Sequence, residues 1–478
     1  MQSYGNIVMD TIWEPQIDPA VKPKYRAVVQ AIRDAITAKA LREGERLPPV
    51  RELGWTLAMT PGTVARAYTL LTDEGVLRAE VGRGTFVAEA PASEPPLNLM
   101  EMDVIEHLTG GDNFDVNLFS PHLPNGGQSK LIRSLMAQIA NDPPSGVMHY
   151  PSRRGAQPAR EAMLHWLRDI DVGPLTQDDI VLSHGGQNAI MLIFQTILKG
   201  RRPVIFVEEL CYPGFRRVAA ALRADVVPVA MDADGLCPDA LAAAAERYPE
   251  GQIICTSPEV HSPTCGFSPA ARRHRIVEVA RRFDLQIVED DCYRIGEAQA
   301  PAYRSLAPER GWYLTSLSKS ITPALRIGCA IGPREMTPAL HRAAEHGFFG
   351  LATPMTDLAA ALLAHPDLDG VLARTRAAVG DYVKVAVNNL GGYDLHWRED
   401  VPFVWLNLPE GWRASAFCRA AETRGVRVRA AEEFAARHAQ SPHAVRMAIN
   451  AGVSLRSFDA AMARLRDLLD NPSDEIGV

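Results

Sequence analysis

Residues 314–328 read LTSLSKSITPALRIG, and this stretch carries the strongest chemical signal in the chain. Ser316, Ser318, Lys319 and Arg326 follow closely after an apolar run. A lysine flanked by hydroxyl groups is suited to form a Schiff base with an aldehyde cofactor. The hydroxyl of Ser316 and the guanidinium of Arg326 are suited to hold a phosphate on that cofactor. Alone the pattern is weak, because serines and lysines adjoin one another on many protein surfaces.

Two segments upstream supply groups suited to the ring of such a cofactor. Residues 285–293, LQIVEDDCY, predict a buried strand with Asp290 and Tyr293 at its carboxyl end, where open α/β sheets bind ligands. A buried carboxylate at Asp290 is suited to keep a pyridine nitrogen protonated, as pyridoxal phosphate chemistry requires. Tyr293 is suited to hydrogen-bond the phenolic oxygen of the ring. Tyr212, at another predicted strand end, offers a ring for stacking.

A pair of glycines supplies a candidate cradle for the phosphate. Residues 183–188, SHGGQN, come after an apolar run and before a helix predicted over residues 189–198. Free backbone N–H groups at a helix N-terminus bind phosphate, so we expect Gly186 and Gln187 to take part. A single junction of this kind is common in proteins and indicates little by itself. It is informative here because it occurs along the chain in order with the other segments that suit the same cofactor.

The larger part of the chain predicts an α/β fold with a largely parallel sheet. Short apolar runs alternate with helical segments, as in repeated βαβ units. The clearest runs lie at residues 180–183, 204–207, 253–256 and 286–289.

Residues 24–88 show a different pattern, with helical periodicity followed by two short strand-like runs. Thr60 is suited to cap a helix that begins at Pro61. The predicted buried stripe of that helix consists of Val64, Ala67, Tyr68 and Leu71. Its outer face presents small, hydroxyl and guanidinium groups, as helices that read the major groove do. These groups belong to Gly62, Thr63 and Arg66.

The strand-like runs predict a β-wing. Residues 76–87, VLRAEVGRGTFV, read as two strands joined at Gly82, Arg83 and Gly84, which places Arg83 beside phosphate or the minor groove. Arg51 lies in the first turns of an earlier helix. The alternative is a helix-rich dimerisation module with surface arginines.

These N-terminal motifs, LPPVREL, TVARAYTLLTDEGVL and GRGTFV, resemble the winged helix-turn-helix of the GntR family over about 65 residues. The resemblance implies binding to double-stranded promoter DNA. It places the DNA contacts at Arg51, Gly62, Thr63, Arg66, Gly82 and Arg83. Many relatives carry arginine where this chain has Pro61, so the resemblance also implies an altered operator preference.

From about residue 117 to residue 478 the segments resemble fold-type I pyridoxal-phosphate enzymes of the aspartate aminotransferase class. The resemblance implies that Lys319 is the Schiff-base lysine, Asp290 the partner of the pyridine nitrogen, Tyr293 the phenol-oxygen donor and Tyr212 the stacking aromatic. The implied phosphate-binding residues are Gly186, Gln187, Ser316, Ser318 and Arg326.

Three further positions follow from the same resemblance. Tyr150 matches a tyrosine that reaches the phosphate of the neighbouring subunit. Arg446 matches the arginine that binds the α-carboxylate of an amino-acid ligand; the alternative is a strand-end arginine paired with a surface carboxylate. Ser262 stands where the family has an asparagine that helps bind the phenolic oxygen. Cys265 replaces a glycine of the family motif, and we expect Gly266 to be able to absorb the turn.

A GntR-type winged helix joined to an aminotransferase-like domain is the architecture of the MocR subfamily of bacterial regulators. The predicted organisation is a DNA-binding domain at residues 18–88, a linker at 89–116 and a cofactor-binding effector domain at 117–478. The resemblance implies a homodimeric transcription regulator that senses an amino compound through an aldimine at Lys319, with residual transaminase activity possible. The alternatives are an active aminotransferase with an N-terminal dimerisation module, and a sensor of pyridoxal phosphate itself.

Composition agrees with an ordinary cytoplasmic globular protein. The net charge is −7, but residues 1–88 carry +1, so the acidity lies in the rest of the chain at −8. Seven scattered cysteines without C-x-x-C spacing predict neither a disulfide framework nor a metal site. We also expect no membrane-spanning segment.

Overall fold

A computed structural model of the chain describes residues 13, 17, 23–42, 44–73, 76–80, 84–88, 116–145, 148–436 and 439–471. The chain divides into two compact units, residues 1–96 and residues 97–478. No helix among the described residues is long and apolar enough to cross a membrane.

The smaller unit contains three helices and a two-stranded antiparallel sheet. These elements are α1 (Lys24–Thr37), α2 (Val50–Thr56), α3 (Pro61–Asp73), β1 (Leu77–Glu80) and β2 (Gly84–Val87). Helix α3 begins at Pro61, whose fixed φ suits a first helical position. The stripe predicted from the sequence is buried, with Val64, Ala67 and Leu71 inaccessible to solvent. The hydroxyl of Tyr68 donates to the carbonyl of Pro48 at 2.8 Å and so ties α3 to the turn before α2.

The larger unit contains the remaining elements. In its first half they are β3 (Val116–Asn117), α4 (Gln128–Asn141), α5 (Gln157–Trp166), β4 (Val181–Ser183), α6 (Gly186–Ile197), β5 (Val204–Glu208), α7 (Pro213–Ala221), β6 (Asp225–Val229), β7 (Met231–Asp232), β8 (Gly235–Leu236), α8 (Pro238–Arg247), β9 (Gly251–Thr256), α9 (Ala270–Arg282) and β10 (Gln286–Asp290). In its second half they are α10 (Tyr303–Leu306), β11 (Gly311–Ser316), β12 (Gly328–Ile331), α11 (Thr337–Phe348), α12 (Thr353–Leu363), α13 (Leu368–Leu390), β13 (Leu395–His396), β14 (Phe403–Asn407), α14 (Ala414–Thr423), β15 (Val426–Arg427), β16 (Arg429–Ala430), β17 (Ala444–Ala448) and α15 (Leu455–Asp470).

A seven-stranded sheet forms the centre of this unit, in the order β4-β12-β11-β10-β9-β5-β6. Strand β12 runs antiparallel to both of its neighbours, and the other pairs are parallel. The largely parallel α/β sheet predicted from the sequence is therefore confirmed. Strands β5 and β11 are buried along their whole length, and β10 is buried in all but its first residue, as expected when helices cover both faces of a parallel sheet.

A second sheet, in the order β13-β14-β17-β16, packs with α13, α14 and α15 around its own apolar core. Its strands are short and antiparallel. Strand β3 pairs in parallel with β15 and brings the first described residues of the larger unit onto this subdomain.

Two local expectations about the elements are wrong. Helix α6 begins at Gly186 rather than at residue 189, because Gly185, with a φ of +77°, already turns the chain into the helix. Gly186 and Gln187 therefore lie in its first turn. Tyr212 does not end a strand: β5 finishes at Glu208, and Tyr212 stands immediately before α7.

Candidate functional site

Adjacent strands bring Lys319, Tyr293 and Asp290 together. Strands β10 and β11 are parallel neighbours, so the segments that follow them leave the sheet at the same edge. Tyr293 lies in the segment after β10, and Lys319 lies in the turn after β11. The Nζ atom of Lys319 is 5.7 Å from the centroid of the Tyr293 ring. Topology alone thus juxtaposes the predicted Schiff-base lysine and the predicted phenol-oxygen donor.

Asp290 is a buried carboxylate at the carboxyl end of β10, 6% exposed. Its Oδ1 accepts a hydrogen bond from the backbone N–H of Cys292 at 3.0 Å. Burial raises the pKa of Asp290 from 3.8 to about 6, and the nearby Asp291 and Glu208 add to the rise. A protonated pyridine nitrogen beside Asp290 would offset the free-energy cost of ionising this buried carboxylate.

The phosphate-binding candidates surround the start of α6. A Cβ added to Gly185 would lie 3.0 Å from Nη2 of Arg326, so the guanidinium covers this turn. Nη1 of Arg326 donates to the hydroxyl of Ser318 at 3.5 Å, and Ser316 is buried at the end of β11. The first turn of α6, two hydroxyls and a guanidinium therefore converge at one point, as a phosphate requires.

Tyr212 and Gln187 contact each other. The Tyr212 hydroxyl donates to Oε1 of Gln187 at 3.1 Å, and Nε2 of Gln187 donates to the carbonyl of Gly214 at 3.2 Å. Burial, together with the nearby Tyr293 and Asp290, raises the pKa of Tyr212 above its ordinary value. The stacking candidate is thus held in place by a residue that the sequence assigned to the phosphate.

Arg446 is a buried arginine on β17, 3% exposed. Its guanidinium carbon lies 5.3 Å from the ring centroid of Phe403 and 4.7 Å from that of Phe434. Nη1 donates to the hydroxyl of Ser262 at 3.4 Å, and Nη2 donates to the carbonyl of Phe119 at 2.7 Å. Its buried Nε has no hydrogen-bond partner. An orphaned guanidinium N–H of this kind fits a ligand carboxylate.

Arg446 connects to the cofactor residues through aromatic rings. The rings of Phe403 and Tyr293 meet edge to face with centroids 5.0 Å apart. Lys319, Tyr293, Phe403 and Arg446 therefore form one continuous series of contacts.

The Ser262–Gly266 turn departs from the expectation. Cys265 itself has a φ of +63°, so Gly266 does not absorb the left-handed conformation. The backbone N–H of Cys265 donates to the carbonyl of His261 at 2.9 Å within the turn, and its buried Sγ donates to the carbonyl of Phe403 on β14 at 3.3 Å. A cysteine thus adopts a conformation that favours glycine.

Tyr150 lies apart from the other candidates and is 89% exposed. The large apolar side chains of Met148 and Phe349 are also mostly exposed, at 87% and 74%. Gly350 lies against Pro151, so these segments adjoin one another.

In the smaller unit the DNA-contact candidates lie at the leading end of α3. Gly62 and Arg66 are exposed, as is Arg51 on α2, and Thr63 is half-buried. The guanidinium of Arg66 stacks on the ring of Tyr25 at 4.5 Å from its centroid. Gly82 and Arg83 lie outside the described residues.

Sequence reasoning missed two contributors to the site. Arg429 on β16 lies directly opposite Arg446 on β17, and its Nε also donates to the carbonyl of Phe119, at 3.0 Å. The sulphur of Cys292 occupies the space into which a side chain at Gly186 would project. No sequence motif predicts a role for Phe119 or Arg429. For Cys292 the only indication in the sequence is its position between Asp290 and Tyr293.

The fold and the site define a fold-type I pyridoxal-phosphate domain. The buried carboxylate of Asp290, the helix start at Gly186 and the orphaned N–H of Arg446 all fit the cofactor and an amino-acid ligand. The chain belongs to the family "Aminotransferase class I and II", whose model matches residues 116–465. Pyridoxal 5′-phosphate is therefore the cofactor that this domain implies.

The N-terminal unit matches a second model, "Bacterial regulatory proteins, gntR family", over residues 24–87. The resemblance to the MocR architecture, a GntR helix-turn-helix followed by an aminotransferase domain, is thereby confirmed.

The similar proteins include both regulators and aminotransferases. The protein named "Uncharacterized HTH-type transcriptional regulator YdeF", of Bacillus subtilis, is 27% identical, and the match covers 98% of this chain and 99% of that protein. The protein named "Probable rhizopine catabolism regulatory protein MocR", of Rhizobium meliloti, is 24% identical over 67% of each chain. The solved structure of the kynurenine aminotransferase of Pyrococcus horikoshii has a TM-score of 0.68 at 20% identity. It covers 78% of this chain and 94% of its own, and at this identity it shows the fold alone.

Proposed function

We propose that this chain is a DNA-binding transcription regulator whose larger domain holds pyridoxal 5′-phosphate at Lys319 and senses an amino compound that carries a carboxylate. The observation that carries the proposal is the union of two complete modules in one chain, a GntR-type helix-turn-helix and an aminotransferase domain. A relative that matches this chain over 99% of its own length is named an uncharacterized HTH-type transcriptional regulator.

The residues of the larger domain support the sensing role. Bound pyridoxal phosphate supplies an aldehyde that exchanges reversibly between amines. Lys319 would hold that aldehyde through its amino group. Arg446, whose Nε is unpaired, would hold the carboxylate of the same ligand. Two-point recognition of this kind selects amino acids over simple amines or simple acids.

The residues of the smaller domain support the DNA-binding role. Helix α3 presents Gly62 and Arg66 to solvent while its other face is anchored by buried apolar residues. Because Arg66 stacks on Tyr25, its guanidinium is ordered before it meets a base or a phosphate. Pro61 lies exposed at the start of the helix, where many relatives have a base-reading arginine.

A second copy of the chain is part of the proposal. Tyr150, Met148 and Phe349 expose apolar surface on adjoining segments, which is costly unless covered. Tyr150 would then reach the phosphate bound by the partner subunit.

Size-exclusion chromatography with light scattering should report a dimer. Phe349→Glu should weaken the dimer and Met136→Glu, on α4, serves as the matched exposed-apolar control.

The decisive experiment measures binding to the DNA upstream of the gene by fluorescence anisotropy. Wild type should bind with salt-dependent affinity, and Arg66→Ala should reduce affinity at least about tenfold. Lys39→Ala, an exposed residue beyond the end of α1, is the control and should bind as wild type does. Equal binding by wild type and Arg66→Ala would contradict the assignment of α3 as the reading helix.

The second candidate function is an active aminotransferase, and it is favoured by the intact Lys319, Asp290 and Tyr293. Steady turnover of an amino donor with a keto acid, at ordinary enzymic rates, would support it. The regulator should instead show half-reactions or slow turnover.

A sensor of pyridoxal phosphate itself would change its affinity for DNA when the cofactor alone is titrated in the absence of amine.

A further inference from the structure

The segment that follows β10, residues 291–296, is here called the tyrosine turn because it carries Tyr293. The ring of Tyr293 lies beside Lys319 and Phe403, but among the residues that the structure describes Tyr293 makes no hydrogen bond of its own. The bonds that hold the segment belong to its neighbours instead. The position of the Tyr293 ring therefore depends on how the rest of the tyrosine turn is fixed.

Asp291 anchors the start of the tyrosine turn to the central sheet. Its backbone N–H donates to the carbonyl of Leu314 at 2.9 Å, and its own carbonyl accepts from the hydroxyl of Thr315 at 3.0 Å. These bonds extend the pairing of β10 with β11 by one residue. Because successive side chains of a strand point to opposite faces, Asp290 and Asp291 lie on different sides of the sheet. The two consecutive carboxylates therefore have different surroundings.

The carboxylate of Asp291 is buried, at 3% exposed, and pairs with Arg294. Its Oδ2 accepts from Nε of Arg294 at 2.8 Å and also from the hydroxyl of Tyr313, while the buried Oδ1 has no partner within the described part of the chain. Burial by itself lowers the pKa of Arg294, but the charge of Asp291 raises it above its ordinary value, so the guanidinium stays charged. Burial and the same carboxylate raise the pKa of Tyr313, so its hydroxyl keeps its proton.

Arg294 also anchors the far end of the tyrosine turn. Its Nη1 donates to the carbonyl of Gly296 at 2.9 Å. A side chain at Gly296 would overlap the carboxylate of Asp400, so this end of the turn packs closely against the segment that leads into β14. One guanidinium thus links both ends of the turn, and Tyr293 lies between them.

Stability alone does not explain a buried ion pair that leaves one carboxylate oxygen bare. Removal of both charges from water costs free energy, and apolar side chains of similar size often stabilise a protein as well or better. An arginine–carboxylate pair has a fixed geometry that apolar contacts lack. What the pair contributes here is the direction in which the turn leaves the sheet.

We propose that Asp291 and Arg294 are positioning residues for Tyr293: their ion pair fixes the turn from which its hydroxyl reaches the phenolic oxygen of the cofactor. The inference rests on the proposed function, because it takes the cofactor to be held at Lys319. A hydroxyl that donates to the phenolic oxygen stabilises the anion and so lowers the pH at which the bound cofactor takes up a proton. Loss of the ion pair should therefore raise that pH, as loss of the Tyr293 hydroxyl should.

Absorbance titration of the cofactor-loaded full chain between about pH 5 and pH 10 tests the proposal. Tyr293→Phe should raise the midpoint of the visible band by about one pH unit, and Asp291→Asn by about half a unit or more. The sign is informative, because removal of a negative charge near the cofactor would by itself lower the midpoint. In the Tyr293→Phe background, Asp291→Asn should give no further rise.

Two further variants separate position from stability. Asp291→Asn leaves Arg294 as an unpaired buried charge and should destabilise the domain. The double variant Asp291→Asn, Arg294→Leu removes that charge and should recover stability, yet it should keep the raised midpoint because the anchor is still missing. Val383→Ala, in the apolar core of the four-stranded sheet, is the control; it should lower the unfolding temperature and leave the midpoint unchanged.

Hydrogen–deuterium exchange of the cofactor-free chain gives a second readout. Peptides from residues 291–296 should exchange at least about threefold faster in both Asp291 variants, and as in wild type in Val383→Ala. In a wild type that shows the cofactor band, an unchanged or lowered midpoint in both Asp291 variants would overturn this proposal alone. Unaltered exchange, or an equal rise with and without the Tyr293 hydroxyl, would also overturn it. None of these measurements uses DNA, so a failure to bind DNA would refute the regulator and leave the positioning role standing.

Discussion

The amino group of Lys319 lies 5.7 Å from the centre of the Tyr293 ring, although the two residues come from different loops. The contact exists because β10 and β11 are parallel neighbours that end at the same edge of the sheet. A cofactor aldehyde held by Lys319 would therefore lie at this edge of the sheet, beside Tyr293.

Lys319→Ala should abolish covalent attachment of pyridoxal phosphate. Purified wild type with added cofactor should show a visible absorption band that borohydride reduction makes permanent, and the variant should show the spectrum of free cofactor. Lys384→Ala is the control, because Lys384 is exposed and pairs with Glu399 at 3.3 Å far along the chain. A wild type that remains colourless with excess cofactor would refute the cofactor assignment.

Asp290→Asn should stabilise the cofactor-free protein while weakening cofactor binding. Burial raises the pKa of Asp290 from 3.8 to about 6, so folding disfavours the ionised form. This group therefore lowers stability progressively as pH rises from about 4 to about 6, and by a constant amount above that range. Asparagine does not ionise, so the free energy of unfolding at pH 7 should rise by up to about 3 kcal/mol.

The same carboxyl sets the pH dependence of cofactor binding. Below pH 6 Asp290 takes up a proton and can no longer pair with a protonated pyridine nitrogen, so wild-type affinity should fall by up to about tenfold per pH unit. Asp290→Asn should bind weakly at pH 7 and lack this dependence. Titrations followed by cofactor absorbance between pH 5 and 8 provide the measurement; parallel curves for both proteins would argue against the pairing.

Gly186→Ala should distort the start of α6. The added Cβ would lie 2.5 Å from Sγ of Cys292, and overpacking of this kind costs about 1–3 kcal/mol. Cofactor affinity should fall with stability, because the same turn is the proposed binding site for the cofactor phosphate.

Cys292→Ala removes the clashing sulphur and leaves its Cβ 3.9 Å from the new methyl group, an ordinary contact. The double variant should therefore recover most of the stability lost by Gly186→Ala. Denaturant unfolding of the two single variants and the double variant gives the coupling energy. Additive losses would show that Cys292 is not what excludes a side chain at position 186.

Tyr68→Phe should destabilise the helix-turn-helix by about 1–2 kcal/mol. The variant loses the 2.8 Å bond to the Pro48 carbonyl, which joins α3 to the turn before α2. Hydrogen exchange of peptides from residues 24–73 in the full chain should quicken, while the larger domain stays unchanged. Tyr25→Phe keeps its ring beneath Arg66 and should have little effect on either exchange or DNA binding.

Much of this site could be predicted because its chemistry sits at the ends of apolar runs. Asp290 ends one buried strand and Lys319 follows the next one, and the parallel pairing of these two strands is enough to bring them to one edge. Helix α3 of the helix-turn-helix could be predicted equally well, because Pro61 and the apolar stripe beginning at Val64 are local features of the sequence.

The missed features depend on contacts between distant segments. The carbonyl of Phe119 is a backbone atom and has no residue signature, and Arg429 faces Arg446 only through the register of two short strands. The left-handed φ of Cys265 is likewise not marked by its residue type, and its contact with Phe403 joins segments that are far apart in the chain. Local pattern determines which groups are present, and long-range register determines which of them touch.

Helix α13 belongs to two hydrophobic cores at once. Leu368, at its start, packs in the core that flanks the seven-stranded sheet, and Leu390, at its end, packs in the core of the four-stranded sheet. Its 23 residues span about 34 Å. A tilt of about 5° at one end would carry the other end through about 3 Å, by this helical rise. A tilt of α13 that begins in one core is therefore also a displacement of about 3 Å in the other core, which the packing there must accommodate.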